Sequence, residues 1–145
     1  MCGNVLHFEV AGSQGAADPF GVRRAGRPAW CAWVSQADLA VDSGQALLVL
    51  GDTGRAHHLI SEGERLLPES RGKPRGVFLA YRAASYLDLK EPEPAAATAT
   101  ATQSLLLARR TGAPRCVRLT EDLLPRFQPY ARAQGVAELL RLTAA

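Results

Sequence analysis

The chain has 145 residues, 47% apolar and 21% charged, with fifteen arginines, two lysines and a net charge of +3. That length suits one domain with a real core, and the composition excludes a disordered polyelectrolyte. The arginines are scattered among acids, so they do not mark a nucleic-acid surface, and no apolar run reaches the ~20 residues of a membrane span.

Residues 1–28 read as an irregular N-terminal arm. Val5, Leu6, Phe8 and Val10 suit a short strand or half a helix. The stretch from Gly12 to Gly26 is rich in glycine, alanine, aspartate and proline and reads as loop. Arg23, Arg24 and Arg27 amid glycines are thin support for a basic arm. The start, Met1-Cys2-Gly3-Asn4, lacks the basic and apolar blocks of a secretory signal. Cys2, Cys31 and Cys116 are far apart, match no metal-ligand or disulfide spacing, and as free thiols suggest a cytoplasmic protein.

From residue 29 onward the apolar spacing is helical, which predicts a helical repeat domain over 29–145. A first helix over about 29–50 carries Trp30, Trp33, Val34, Ala37, Val41, Gly44, Leu47 and Leu48. The two tryptophans read as packing anchors, with a stacking site for a ligand as the alternative. Gly51-Asp52-Thr53-Gly54 reverses the chain. A second helix over about 53–67 stops at Pro68, with Arg55, His57, Glu62, Glu64 and Arg65 on its wet sides. After a polar loop at 68–75, a third helix over about 75–89 is apolar nearly all round and belongs in the middle of a stack. A fourth, about 93–110, opens at Pro92 or Pro94 and ends at Gly112. Its AAATATAT run is helix-forming rather than exotic. A fifth spans about 114–128, with a kink or early end at Pro125, and a sixth, Val136–Leu142, caps the stack. The fold class is all-α: a short α-solenoid of about six helices in hairpins.

The helix–turn–helix pattern recurs after thirty-nine residues. Gly44, Gly51, Ala56, Gly63 and Pro68 follow the tetratricopeptide order of small residue, turn glycine, alanine, small residue and proline. Ala83, Lys90, Ala95 and Thr102 fall at the corresponding places of a second unit, in which Lys90 replaces the turn glycine and Leu107 the proline. Beyond the generic repeat, residues 27–142 resemble the C-terminal tetratricopeptide-like region of actinobacterial helix-turn-helix transcriptional regulators of the Xre type. The resembling pieces are RPAWCAWVSQADLA at 27–40, ALLVLGDTGRA at 46–56, AAATATATQSLLLAR at 95–109 and RFQPYARAQGVAELLRL at 126–142. The resemblance implies the sensor or partner-binding part of such a regulator. Residues 1–26 do not match its DNA-binding domain, so direct nucleic-acid binding does not carry over.

Little chemistry is legible. His57-His58 point roughly 100° apart on a helix and suit no shared metal; His57 reads as solvated and His58 as partly packed. No Gly-x-Ser-x-Gly elbow is present, Gly-Asp-Thr-Gly lacks the Lys-Ser/Thr of a phosphate loop, and Glu121-Asp122 is an ordinary polar face. No enzymatic activity, cofactor or metal is expected. What remains is a surface. Carrying over the ligand-facing repeat positions gives Asp38, Val41, Gln45 and Leu48 in the first unit and Val77, Ala84, Leu87 and Asp88 in the second. They would form a mildly acidic, partly apolar groove for a protein or peptide partner. The alternative is a structural piece that self-associates as a homodimer.

Overall fold

A computed structural model describes residues 34–144, within the chain's second compact unit, Trp33–Ala145. The expected arm at 1–28 and its features, together with Trp30, Cys31 and Trp33, lie outside the described residues. Among those residues the fold is all-helical. Six helices have eight or more residues: α1 (Gln36–Val49), α2 (Thr53–Leu66), α3 (Gly72–Asp88), α4 (Pro94–Thr111), α5 (Pro114–Glu121) and α7 (Val136–Ala144). A single turn, α6 (Leu124–Phe127), and a 3-10 turn, Gln128–Tyr130, connect the last two. No helix is long and apolar enough to cross a membrane among the described residues.

Each boundary has a local cause. The first helix begins at Gln36 because Ser35 is extended and caps it; positions 29–33 of the expected helix lie outside the described residues. The Ser35 hydroxyl accepts from the Asp38 N–H at 3.2 Å, and the Asp38 carboxylate accepts from the Ser35 N–H at 2.8 Å, a reciprocal capping box. The α1–α2 turn passes through Gly51 at φ 81°, a backbone that costs a side-chain-bearing residue energy. Leu67 is extended, as a residue before proline prefers to be, and α2 ends there. The third helix starts three residues earlier than its apolar pattern suggests. Pro74 falls in its first turn, where a missing N–H costs nothing. Pro125 does not kink a long fifth helix; α5 stops at Glu121 and Pro125 lies in the first turn of α6. The threonines of α4 are tolerated because Thr98, Thr100 and Thr102 turn their hydroxyls back onto the carbonyls of Pro94, Ala96 and Thr98 at 2.7–2.9 Å.

The two hairpins, α1/α2 and α3/α4, repeat one packing pattern. In α1 the buried positions are Ala37, Ala40, Val41 and Gly44; in α3, thirty-nine residues on, they are Gly76, Leu79, Ala80 and Ala83. In the second helices the offset is forty-one: Ala56, Ile60 and Gly63 of α2 correspond to Ala97, Ala101 and Ser104 of α4. Residues 50–52 join the first hairpin and residues 89–93 the second, so the extra two residues lie in the turn. Ala95 and Thr102 are therefore not the counterparts of Ala56 and Gly63. Ala95 is exposed and Thr102 half-buried, whereas Ala97 and Ser104 are fully buried.

The two helices of a hairpin come close at the small residues. A Cβ on Gly63 would lie 2.8 Å from the Ala37 carbonyl oxygen and 2.5 Å from Val41 Cγ2. A Cβ on Gly44 would lie 2.9 Å from the Ala56 carbonyl oxygen and 2.6 Å from Ile60 Cγ1. At the position equivalent to Gly63, Ser104 donates its hydroxyl to the Gly76 carbonyl at 2.8 Å, and Gly76 is the equivalent of Ala37. One contact is thus made twice, once by close approach and once by a hydrogen bond.

The larger apolar cluster joins α3 and α4 to the C-terminal segment through Leu87, Leu105, Phe127, Val136 and Leu139. The short α7 thereby covers α4, as an end cap should. A smaller cluster, Ala37, Val41, Leu67 and Phe78, ties the hairpins together. Between α2 and α3, Glu64 pairs with Arg75 and, at 3.3 Å, with Arg82. Glu64 is therefore not on a wet side of α2; it belongs to the stripe His57, Ser61, Glu64 that faces α3.

Candidate functional site

The first helix of each successive unit contributes to one groove of about 530 Å³. Its α1 wall is Asp38, Val41 and Asp42. Its α3 wall is Lys73, Pro74, Val77, Phe78 and Tyr81, and the Gly112–Cys116 segment entering α5 closes a third side. Apolar matter forms the floor: Val41 is 1% exposed and Phe78 6%. The position follows from three local causes. Helical steps of three and four place 38, 41 and 42 together and 74, 77, 78 and 81 together. The early start of α3 brings Lys73 to the rim. Gly112, left-handed at φ 61°, ends α4 and turns the chain so that Pro114 opens α5 against α3.

Of the eight residues predicted from repeat positions, Asp38, Val41 and Val77 line this groove. Gln45, Leu48, Ala84, Leu87 and Asp88 do not; they lie in the C-terminal halves of α1 and α3, away from the start of α5. Leu87 is 8% exposed and belongs to the apolar core, so it is not a ligand-facing residue. Asp88 accepts from Arg126 at 2.7 Å and ties α3 to α6. Asp42, Lys73, Tyr81 and Arg115 went unselected in the sequence. The i, i+3, i+4 pattern around Asp38 and Val77 carried the signal for Asp42 and Tyr81; Lys73 was hidden by reading 68–75 as loop. The groove is not acidic on balance: Asp38 and Asp42 stand against Lys73 and Arg115.

No family model, curated protein or solved structure matches this chain. Chemistry must therefore be read from the side chains themselves. Cys116 lies at the groove's inner edge but is fully buried. Burial pushes its thiol pKa up from 9.0, partly offset by a hydrogen bond with Ser104, which keeps the thiol protonated and unreactive at neutral pH. Its surroundings are a packed polar cluster: Ser104 Oγ lies 3.2 Å from Cys116 Sγ and 3.1 Å from Thr120 Oγ1. Among the described residues, no three of His, Cys, Asp and Glu come together as a metal-ligand set.

The histidine pair is arranged opposite to expectation. His58 is exposed, and His57 packs between α2 and α3 because Ala56 and Ile60 already face α1 and the next position turns toward α3. Ser85 gives its only proton to the Arg82 carbonyl at 2.8 Å, so His57 Nδ1–H is the donor to Ser85 Oγ at 2.8 Å. The imidazole ring lies 4.4 Å from the Tyr86 ring, and the Arg82 guanidinium sits over the other ring at 5.6 Å. Burial, then the Arg82 charge, lower the His57 pKa below 6.5, with Glu93 opposing and His58 adding to the shift. The unfolded chain thus takes up this proton at a higher pH than the folded chain does. The stability contributed by neutral His57 is complete above about pH 6.5 and is lost as pH falls through the folded-state value. Thermal unfolding between about pH 7.5 and pH 5.5 will show this fall in the wild type and a flatter profile in His57→Gln. Equal slopes for the two proteins would show that His57 does not carry the dependence.

Proposed function

We propose that this chain is a non-enzymatic helical-repeat module that binds a protein or peptide partner in the groove between α1, α3 and the start of α5. The observation that carries it is the groove itself: an apolar floor flanked by charged rims, built where successive repeat units present their first helices. A volume of about 530 Å³ lies within the usual range of roughly 300–1,000 Å³ for ligand sites. The resemblance of residues 27–142 to the C-terminal region of Xre-type regulators supports a role as the sensor or partner-binding part of a transcriptional regulator. There the occupied groove would convey its state to a DNA-binding domain.

The test uses a peptide recovered from a random-peptide phage library on the full-length chain. Val77→Arg places a charge on the α3 wall and will weaken that peptide by about tenfold or more, with helical content by circular dichroism unchanged. An unchanged affinity would remove the groove from consideration.

A second reading is self-association, and one observation favours it. Val49 and Leu50, at the C-terminal end of α1, are 88% and 78% exposed. Sedimentation of a monomer at high micromolar concentration would exclude that reading.

A further inference from the structure

We infer that the groove selects a peptide segment of mixed charge: a basic side chain toward α1, an apolar side chain on the floor, and an acidic side chain toward Lys73 and Arg115. The inference rests on the groove being the binding site and goes on to specify what it takes. Its ground is the placement of charges around the groove's apolar floor. Elsewhere several opposite charges are paired: Asp52 with Arg55, Glu62 with Arg65, Glu64 with Arg75 and Arg82, Asp88 with Arg126, and Glu138 with Arg141. Asp38, at the groove's edge, has its carboxylate held by the Ser35 N–H and hydroxyl at 2.8 and 2.7 Å. Asp42, Lys73 and Arg115 stand around the groove. All three are exposed, all three line the groove, and none is in an ion pair among the described residues.

Their placement is also polarised. The anion lies on the α1 wall; the cations lie at the starts of α3 and α5, across the apolar floor made by Val41, Val77 and Phe78. Opposed charges of this kind set the direction and register of an extended ligand and disfavour partners of a single charge sign. A polyanion such as nucleic acid would meet Asp42 and Asp38 on the α1 wall, and a purely basic segment would meet Lys73 and Arg115. A segment with one charge of each sign around an apolar residue meets neither penalty and covers the floor.

The experiment pans a random-peptide phage library against the full-length wild type, Asp42→Lys, and the double variant Lys73→Glu/Arg115→Glu. All three positions are exposed, so the variants keep the fold, which circular dichroism checks. The wild type will enrich peptides carrying a basic and an acidic residue around an apolar one. Such a peptide will lose about tenfold in affinity for Asp42→Lys, and a peptide with its basic residue changed to glutamate will recover it. The double variant will reverse the preference at the acidic position in the same way. Enriched peptides that are apolar only, or whose charges are indifferent to both reversals while Val77→Arg still abolishes binding, would overturn the charge code and leave the groove as the binding site. Enriched peptides that are polyanionic throughout would also overturn it. No enrichment on any of the proteins would overturn the charge code and the groove together.

Discussion

Replacing Phe127 by alanine will destabilise the fold by about 3–5 kcal/mol, the largest effect expected of any single side-chain truncation among the described residues. Phe127 is fully buried and is the bulkiest such side chain among the described residues. It lies in the cluster with Leu87 of α3, Leu105 of α4, and Val136 and Leu139 of α7. Removing the ring takes away its transfer free energy and leaves a cavity that helices on three sides cannot all close, and dispersion contacts are lost with it. The effect should also be regional. Phe127 follows Pro125 on a single helical turn, so α6 and α7 depend on this ring to dock against the hairpins. Equilibrium urea unfolding of Phe127→Ala beside Leu106→Ala gives the comparison, because Leu106 is 51% exposed and should cost under about 1 kcal/mol. Similar losses for the two would show that the segment after α5 is not packed as described.

The second large effect is expected where an atom is added. Gly63→Ala and Gly44→Ala will each destabilise by about 1–3 kcal/mol, although alanine favours a helix interior over glycine by about 1 kcal/mol. Each new methyl would meet a backbone carbonyl oxygen of the partner helix at 2.8 or 2.9 Å, and an α-helical carbonyl cannot rotate away. The helices of the first hairpin must separate instead, which loosens Val41 and Ile60. Because one separation relieves both clashes, the double variant should cost less than the sum of the singles. Gly54→Ala is the matched control. It lies in the first turn of α2 with nothing within 4 Å of the added atom, and it should leave stability unchanged or raise it by up to ~1 kcal/mol. A destabilising Gly54→Ala beside neutral Gly44→Ala and Gly63→Ala would contradict the close crossing of α1 and α2.

These glycines also show what was legible in the sequence. The spacing of Gly44 and Gly63 marks places where a side chain would not fit, and the structure supplies the atoms that exclude it. The second hairpin was legible in its first helix, where the thirty-nine-residue offset holds from Ala37–Gly76 to Gly44–Ala83. It was misread in the other, because the turn at 89–93 is two residues longer than the turn at 50–52. A turn without glycine carries no internal mark of its length. Leu87 shows a similar limit. Repeat position placed it on a ligand-facing surface, but the α6–α7 segment folds back and buries it, a contact made by residues forty positions away. The groove was half legible: Asp38, Val41 and Val77 follow from helical periodicity, whereas Lys73 and Arg115 depend on where α3 and α5 begin. Those starts are set by prolines accepted in first turns, which the sequence marks equally well as loop breakers.

The most direct test is the map of backbone amide chemical shifts when the full-length chain is titrated with its library-selected peptide. The groove predicts that the largest changes fall on residues 38–42, 73–81 and 113–116, three separate stretches that only the folded site brings together. Changes confined to Val49, Leu50 and the adjoining α1–α2 turn would contradict it. They would assign recognition to the exposed apolar end of the first hairpin instead.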